Sequence, residues 1–317
     1  MKIDFATLLD RVLELDDVVI LIHHFPDGDT IGSGFALCRC LQKMGRRAKV
    51  ECSHTIPKRY DYIVNSVEQK EFEPKCVIAV DTADFLLLGD KLKKYEGKVE
   101  LCIDHHGSNL LFAKETYVDP TAAATCEIIN DIICHISRMD DQMAAALYTG
   151  IATDTGCFKF SNATARTHII AAELIQLGID SGEINRIMFD TKSKSRVMIE
   201  KMAMENMIFT AEDKCALICI TKKMREMSDA KDDELEGITA LPRQIEGVII
   251  GITMREREND TYKISVRTHE PIDASAFCAK FGGGGHIRAG GCEIKGKYDD
   301  VAKLLLSEAE KVIASER

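Results

Sequence analysis

The sequence predicts an α/β protein: a doubly wound, mostly parallel sheet followed by a smaller α/β domain, with a cleft between the two. Three observations carry that prediction. Short β-branched apolar runs alternate with helical patterns through the first half. The length, 317 residues, corresponds to two domains at about 150 residues each. A glycine run with basic neighbours stands only in the second half.

The elements follow in order. Val18–Ile22 is wholly apolar and reads as a buried parallel strand. After a Pro/Gly turn, residues 33–44 read as a helix ended by Gly45. Ala48–Cys52 is a weaker strand, and Cys76–Val80 and residues 99–103 are two more, with helical patterns at 123–134, 141–149 and 167–177. Such alternation implies right-handed crossovers. Residues 1–190 form the expected first domain and residues 191–210 a helical linker. Residues 211–317 form the second domain, with strands at 215–220, 247–254 and 262–267 and a final amphipathic helix at 298–315. Met198, Met202, Met204 and Met207 on the linker read as core or as the seam of a homodimer.

Composition narrows the function. Apolar residues are 45% and charged residues 29%, which is globular and not disordered. The net charge of −10 argues against a protein that wraps long duplex nucleic acid, whose affinity comes from basic surface. There is no run of about 18 apolar residues for a membrane span and no signal-peptide pattern at Met1-Lys2-Ile3-Asp4. Twelve scattered cysteines without a C-x-x-C pair suit reduced thiols, and the expected location is the cytoplasm.

The chemistry collects where apolar segments end. The first strand runs into His23, His24, Asp27 and Asp29; Cys76–Val80 stops at Asp81; residues 99–103 stop at Asp104-His105-His106; the apolar run 150–152 stops at Asp154. The carboxyl ends of parallel strands face one crevice. One strand-end Asp is ordinarily a cap or turn residue; four segments delivering Asp and His together are not explained by capping. Carboxylates so gathered repel one another unless a cation sits among them. Carboxylate and imidazole without thiolate suit Mn²⁺ or a related divalent ion. The number of ligands fits two ions sharing an Asp bridge, a pair that activates water for attack on phosphorus. His106, beside His105, is placed to donate to the reacting phosphate.

In the second half, Gly282–Gly285 exposes backbone N–H groups that can approach an anion. No Lys-Ser/Thr follows, so it is not a nucleoside-triphosphate loop. His286, Arg288 and the upstream Arg267 turn the reading towards phosphate recognition.

These residues resemble the DHH phosphoesterase superfamily. The H-x-x-x-D-x-D motif stands as His23, Asp27 and Asp29; the second motif as Asp81; Asp104-His105-His106 gives the family its name; Asp154 is the fourth motif. The run from Gly282 to Gly291 is similar to the family's G-G-G-G-H-x-x-A-A/S-G, with Gly290 as the one departure. The two-domain length resembles the nanoRNase (oligoribonuclease)/pAp-phosphatase branch.

The resemblance implies one ion on His23, Asp27 and Asp81 and a second on Asp29, Asp81, His105 and Asp154. It places His106, Asp81 and Asp104 in the catalytic apparatus and assigns substrate to Ser265, Arg267, Gly283, Gly284, Gly285, His286 and Arg288. The implied cofactor is a pair of Mn²⁺ ions. The implied substrates are short oligoribonucleotides cut to mononucleotides and 3′-phosphoadenosine-5′-phosphate (pAp) cut to AMP. A phosphodiesterase for cyclic di-AMP or pApA uses the same centre. A manganese pyrophosphatase, a RecJ-type exonuclease and a noncatalytic nucleotide-binding protein are the remaining alternatives.

Overall fold

The computed structural model describes residues 1–235 and 237–315; Glu236 and residues 316–317, the last of which close the 211–317 domain expected from the sequence, lie outside the described residues. The chain divides into two compact units, Met1–Thr191 and Lys192–Arg317.

The first unit is built on five parallel strands: β1 (Val18–Ile22), β2 (Ala48–Cys52), β3 (Cys76–Val80), β4 (Leu101–Asp104) and β5 (Glu115–Val118). Their spatial order is β2-β1-β3-β4-β5. The chain leaves β1 for β2 on one side and returns to β3 on the other, so β1 and β3 flank the topological switch point where open α/β sheets bind ligands. Every residue of β1 is buried because the strand has core on both faces. Val18, Ile20 and Ile22 join one apolar cluster, and Val19 and Leu21 join another with Leu88, Leu92 and Tyr95.

The helices of this unit are α1 (Phe5–Glu14), α2 (Gly28–Lys43), α3 (Asp61–Val64), α4 (Thr125–Ile136), α5 (Asp141–Asp154), α6 (Ala165–Gln176) and α7 (Ser181–Asn185). α2 is buried nearly throughout its first three turns. Two glycines allow its close approach to neighbours: a Cβ on Gly32 would lie 2.4 Å from the Ala146 carbonyl, and one on Gly150 would lie 3.0 Å from the Asp29 Cα. At two places the structure departs from the sequence pattern. β5 carries no four-residue apolar run, only the half-buried pattern of an edge strand, so periodicity could not reveal it. Residues 150–154 do not approach the site as a strand; they are the last turn of α5.

The second unit holds α8 (Lys194–Glu205), β6 (Ile208–Thr210), β7 (Cys215–Ile220), α9 (Lys222–Ser228), β8 (Ile250–Glu256), β9 (Thr261–Thr268), α10 (Ala274–Ala279), β10 (Gly284–His286), β11 (Ala289–Lys295) and α11 (Tyr298–Ser315). Residues 191–210, expected as a linker, thus contain a helix and a strand that pairs with β7 inside this unit. The sheet order is β10-β11-β9-β8-β7-β6, with β7 and β8 parallel and the other neighbours antiparallel. β9 alternates: Tyr262, Ile264, Val266 and Thr268 are buried, while Ser265 and Arg267 point to the other face. The glycine run is not a free loop, because Gly284 and Gly285 pair with Gly291 and Gly290 in a hairpin.

Candidate metal centre

Each acid of the first unit is positioned by a different backbone device. Asp27 caps α2, its Oδ1 accepting from the N–H groups of Asp29 and Thr30 at 3.1 Å each. Asp29, in the first turn of α2 and buried, accepts from the Thr125 and Cys126 N–H groups at 2.6 and 2.9 Å. Those are the first amides of α4, so the carboxylate sits on a helix N-terminus. Asp81 follows β3 with a left-handed backbone (φ +52°) and accepts the Thr125 hydroxyl at 3.0 Å. Asp154 closes α5.

These groups converge. His23 Nε2 lies 3.6 Å from Asp27 Oδ1 and 3.8 Å from Asp81 Oδ2. His105 Nε2 lies 3.8 Å from Asp81 Oδ1, 3.9 Å from Asp29 and 3.6 Å from Asp154. The Nδ1 of His105 faces the Ala122 carbonyl at 3.2 Å, which leaves Nε2 towards the carboxylates. Asp81 therefore presents one oxygen to each histidine. Among the described residues the groupings able to hold a cation are His23/Asp27/Asp81, Asp29/His105/Asp154 and Asp81/His105/His106.

The electrostatics agree. Burial, then the charges of Asp29, Asp27, Asp104 and Asp154, push the Asp81 carboxyl well above the usual range. Burial, then the charges of Asp29 and Asp27, push Asp154 up to about 8. A hard, oxygen-rich donor set with imidazole and no thiolate fits divalent ions that would relieve this repulsion.

Asp104 does something else. It is fully buried, and its Oδ1 accepts from the His105 and His106 N–H groups and meets His106 Nδ1 at 2.7 Å. Its Oδ2 accepts from Asn109 at 2.7 Å. Burial opposes ionisation, yet the bonds from His106 and Asn109 hold its carboxyl below the ordinary value. That saturated carboxylate aims the His106 ring. Sequence reasoning missed Asn109 and Thr125, single polar residues without a diagnostic spacing. His23, Asp27, Asp81, His106 and Asp154 line one cavity of about 340 Å³, together with His24, Phe25 and Leu87.

In the second unit, strand register gathers the expected substrate residues. Ala289 pairs with both His286 and Arg267, and Gly291 with both Gly284 and Ser265. Arg267 and Ser265 thus share a face with His286 and Gly284 across neighbouring strands. A Cβ on Gly283 would lie 2.1 Å from the Gly291 carbonyl, so the hairpin closes only over glycine. Arg288 is turned elsewhere, donating to the Ile272 carbonyl and to Glu270. Arg243, not foreseen, approaches Arg267. Its backbone N–H packs where a Cβ on Gly251, opposite Arg267 in the ladder, would sit at 2.8 Å. Burial and the Arg243 charge hold the Arg267 guanidinium below its ordinary range.

The sequence profile of the DHH family N-terminal domain matches residues 17–151, and that of the DHHA1 domain matches residues 219–315. The bifunctional oligoribonuclease and PAP phosphatase NrnA of Thermus thermophilus is 31% identical over 92% of this chain and 88% of its own. The Bacillus subtilis protein of the same name is 27% identical over 94% and 96%. The crystal structure of an exopolyphosphatase-related protein from Bacteroides fragilis superposes with a TM-score of 0.84 at 25% identity, covering 96% of both chains.

Proposed function

Since the chain belongs to the DHH family and is a hydrolase of the NrnA-like phosphoesterase kind, we propose that it is Mn²⁺-dependent and cuts short oligoribonucleotides to mononucleotides and pAp to AMP. The observation that carries this reading is Asp81, with one oxygen towards His23 and the other towards His105. One ion would be held by His23, Asp27 and Asp81, the other by Asp29, Asp81, His105 and Asp154. Bound there, divalent ions supply an acidified water and neutralise charge on the phosphate oxygens.

The protein's own groups do the rest. Asp27 and Asp29, fixed by amides at the starts of α2 and α4, keep their carboxylates pointed inward. Asp104 holds His106 by Nδ1, so that Nε2 is the atom offered to a phosphate oxygen or the leaving group. The partners are short oligoribonucleotides and small nucleotides. Arg267, Ser265, the Gly283–Gly285 hairpin, His286 and Arg288 would bind a further phosphate or base, Arg288 from its place beside Glu270.

The test is a kcat/KM panel with Mn²⁺ on diadenylate, longer oligoribonucleotides, pAp, cyclic di-AMP and pyrophosphate. Preference for two- to five-nucleotide RNA and pAp is expected. Preference for cyclic di-AMP or pyrophosphate would overturn the substrate assignment, and absence of any hydrolysis would overturn the reading.

A further inference from the structure

An exposed aromatic ring stands at the metal centre. Phe25, two residues after His23, is 70% exposed and lines the same cavity as His23, Asp27, Asp81, His106 and Asp154. Leaving so large an apolar ring in water forgoes the gain its burial would bring. Leu87, which lines the same cavity, is exposed as well.

The ring is braced. The His24 imidazole centre lies 4.2 Å from that of Phe25 with 49° between planes, and His54 lies 5.0 Å away at 69°. The two imidazoles meet each other edge-on at 5.4 Å. His24 is itself fixed twice to the Leu87 carbonyl, by its backbone N–H at 2.7 Å and its Nδ1 at 2.6 Å. Gly89 closes behind it: its φ is +80°, and a Cβ there would lie 2.8 Å from the His24 Cβ. Both imidazoles approach at steep angles while the ring stays mostly exposed, which leaves an aromatic face for a flat partner.

We propose that Phe25, braced by His24 and His54, is a stacking platform for the nucleobase adjoining the scissile phosphate. This rests on the phosphoesterase reading for the position of the phosphate. The Cα atoms of His23 and Phe25 are at most about 7 Å apart, a span within one nucleotide. Stacking tolerates any base, because each has a π-face, and this suits an enzyme that removes successive nucleotides.

The sequence contains no tryptophan, so Phe25→Trp places a lone fluorophore on the platform. In the Mn²⁺-loaded full chain, AMP is expected to quench it saturably and ribose 5-phosphate to leave it bright. Equal quenching by both, or by neither, overturns the proposal. In parallel, Phe25→Ala is expected to lower the ratio of kcat/KM for diadenylate over its abasic analogue roughly tenfold, through KM, with recovery in Phe25→Tyr. An unchanged ratio overturns it, as does sedimentation showing that Phe25→Ala splits a wild-type dimer, which would assign the ring to a protein interface. If the wild type hydrolyses no ester, the phosphoesterase reading fails, and the fluorescence titration still decides the platform.

Discussion

The acidic centre of the first unit and the arginine-bearing sheet of the second place charge by opposite means. At the centre, each ionisable side chain leaves the end of an element: β1 for His23, β3 for Asp81, β4 for Asp104, the last turn of α5 for Asp154. Topology brings those ends together, and helix N-termini and Asp104 then fix the angles. In the second unit Ser265 and Arg267 lie within a strand, and what unites them with His286 is ladder register. Charge that converges at element ends is set by the crossover pattern. Charge placed by register depends on glycines that let neighbouring strands and the Arg243 segment come close.

The contrast can be broken at its strongest point. Asp81→Ala should abolish the shared ligand, lowering kcat/KM more than the roughly 10–100-fold that loss of an outer-shell partner costs. Elemental analysis should show less than two bound ions per chain. Wild-type hydrolysis in that variant would dissolve the two-ion assignment.

Asp104→Asn sharpens the division inside the centre. The His106 ring should lose its anchor, with kcat falling about 10–100-fold while metal content stays at the wild-type value. Loss of metal in step with activity would make Asp104 a ligand after all.

Arg267→Ala tests the register-built half. A lost charge-assisted bond should raise KM for pAp roughly tenfold, with bound metal unchanged. Lysine should recover only part of this, since it lacks the planar fork. A purely kcat defect would place Arg267 with the chemistry.

The smallest effect is on pH dependence. Burial and its acidic neighbours raise Asp154 to about 8 in the metal-free fold, far above an unfolded aspartate. Between those two values the folded chain binds more protons than the unfolded one, so stability falls as pH rises from about 4 to 8. Chelator-treated protein should melt lower at pH 8 than at pH 5, and Mn²⁺ should raise Tm more at pH 8. Equal metal-induced shifts at both pH values, read by calorimetry, would contradict the charge-relief argument.

The same contrast explains what the sequence disclosed. Asp81 and Asp104 were legible because each ends a short apolar run, and the parallel-strand rule says where such ends go. The convergence of Asp154 with the other acids was legible, but its place at the end of a helix was not, since residues 150–152 are too few to separate the two periods. Arg243 and Asn109 were not legible at all. Neither has a pattern in the chain, and each acquires its neighbour only through folding: Arg243 across Gly251, Asn109 by turning back onto Asp104. The edge strand β5 escaped because one buried residue in four makes no alternation.

The left-handed backbone of Asp81 has an evolutionary consequence. A non-glycine residue at φ +52° costs the fold on the order of 1 kcal/mol that glycine would save. Selection for stability alone therefore favours removing the carboxylate that faces both histidines. A lineage released from the need for its activity should drift to glycine here and become sturdier by doing so. The residue that persists at position 81 is thus a record of whether the chain is still at work.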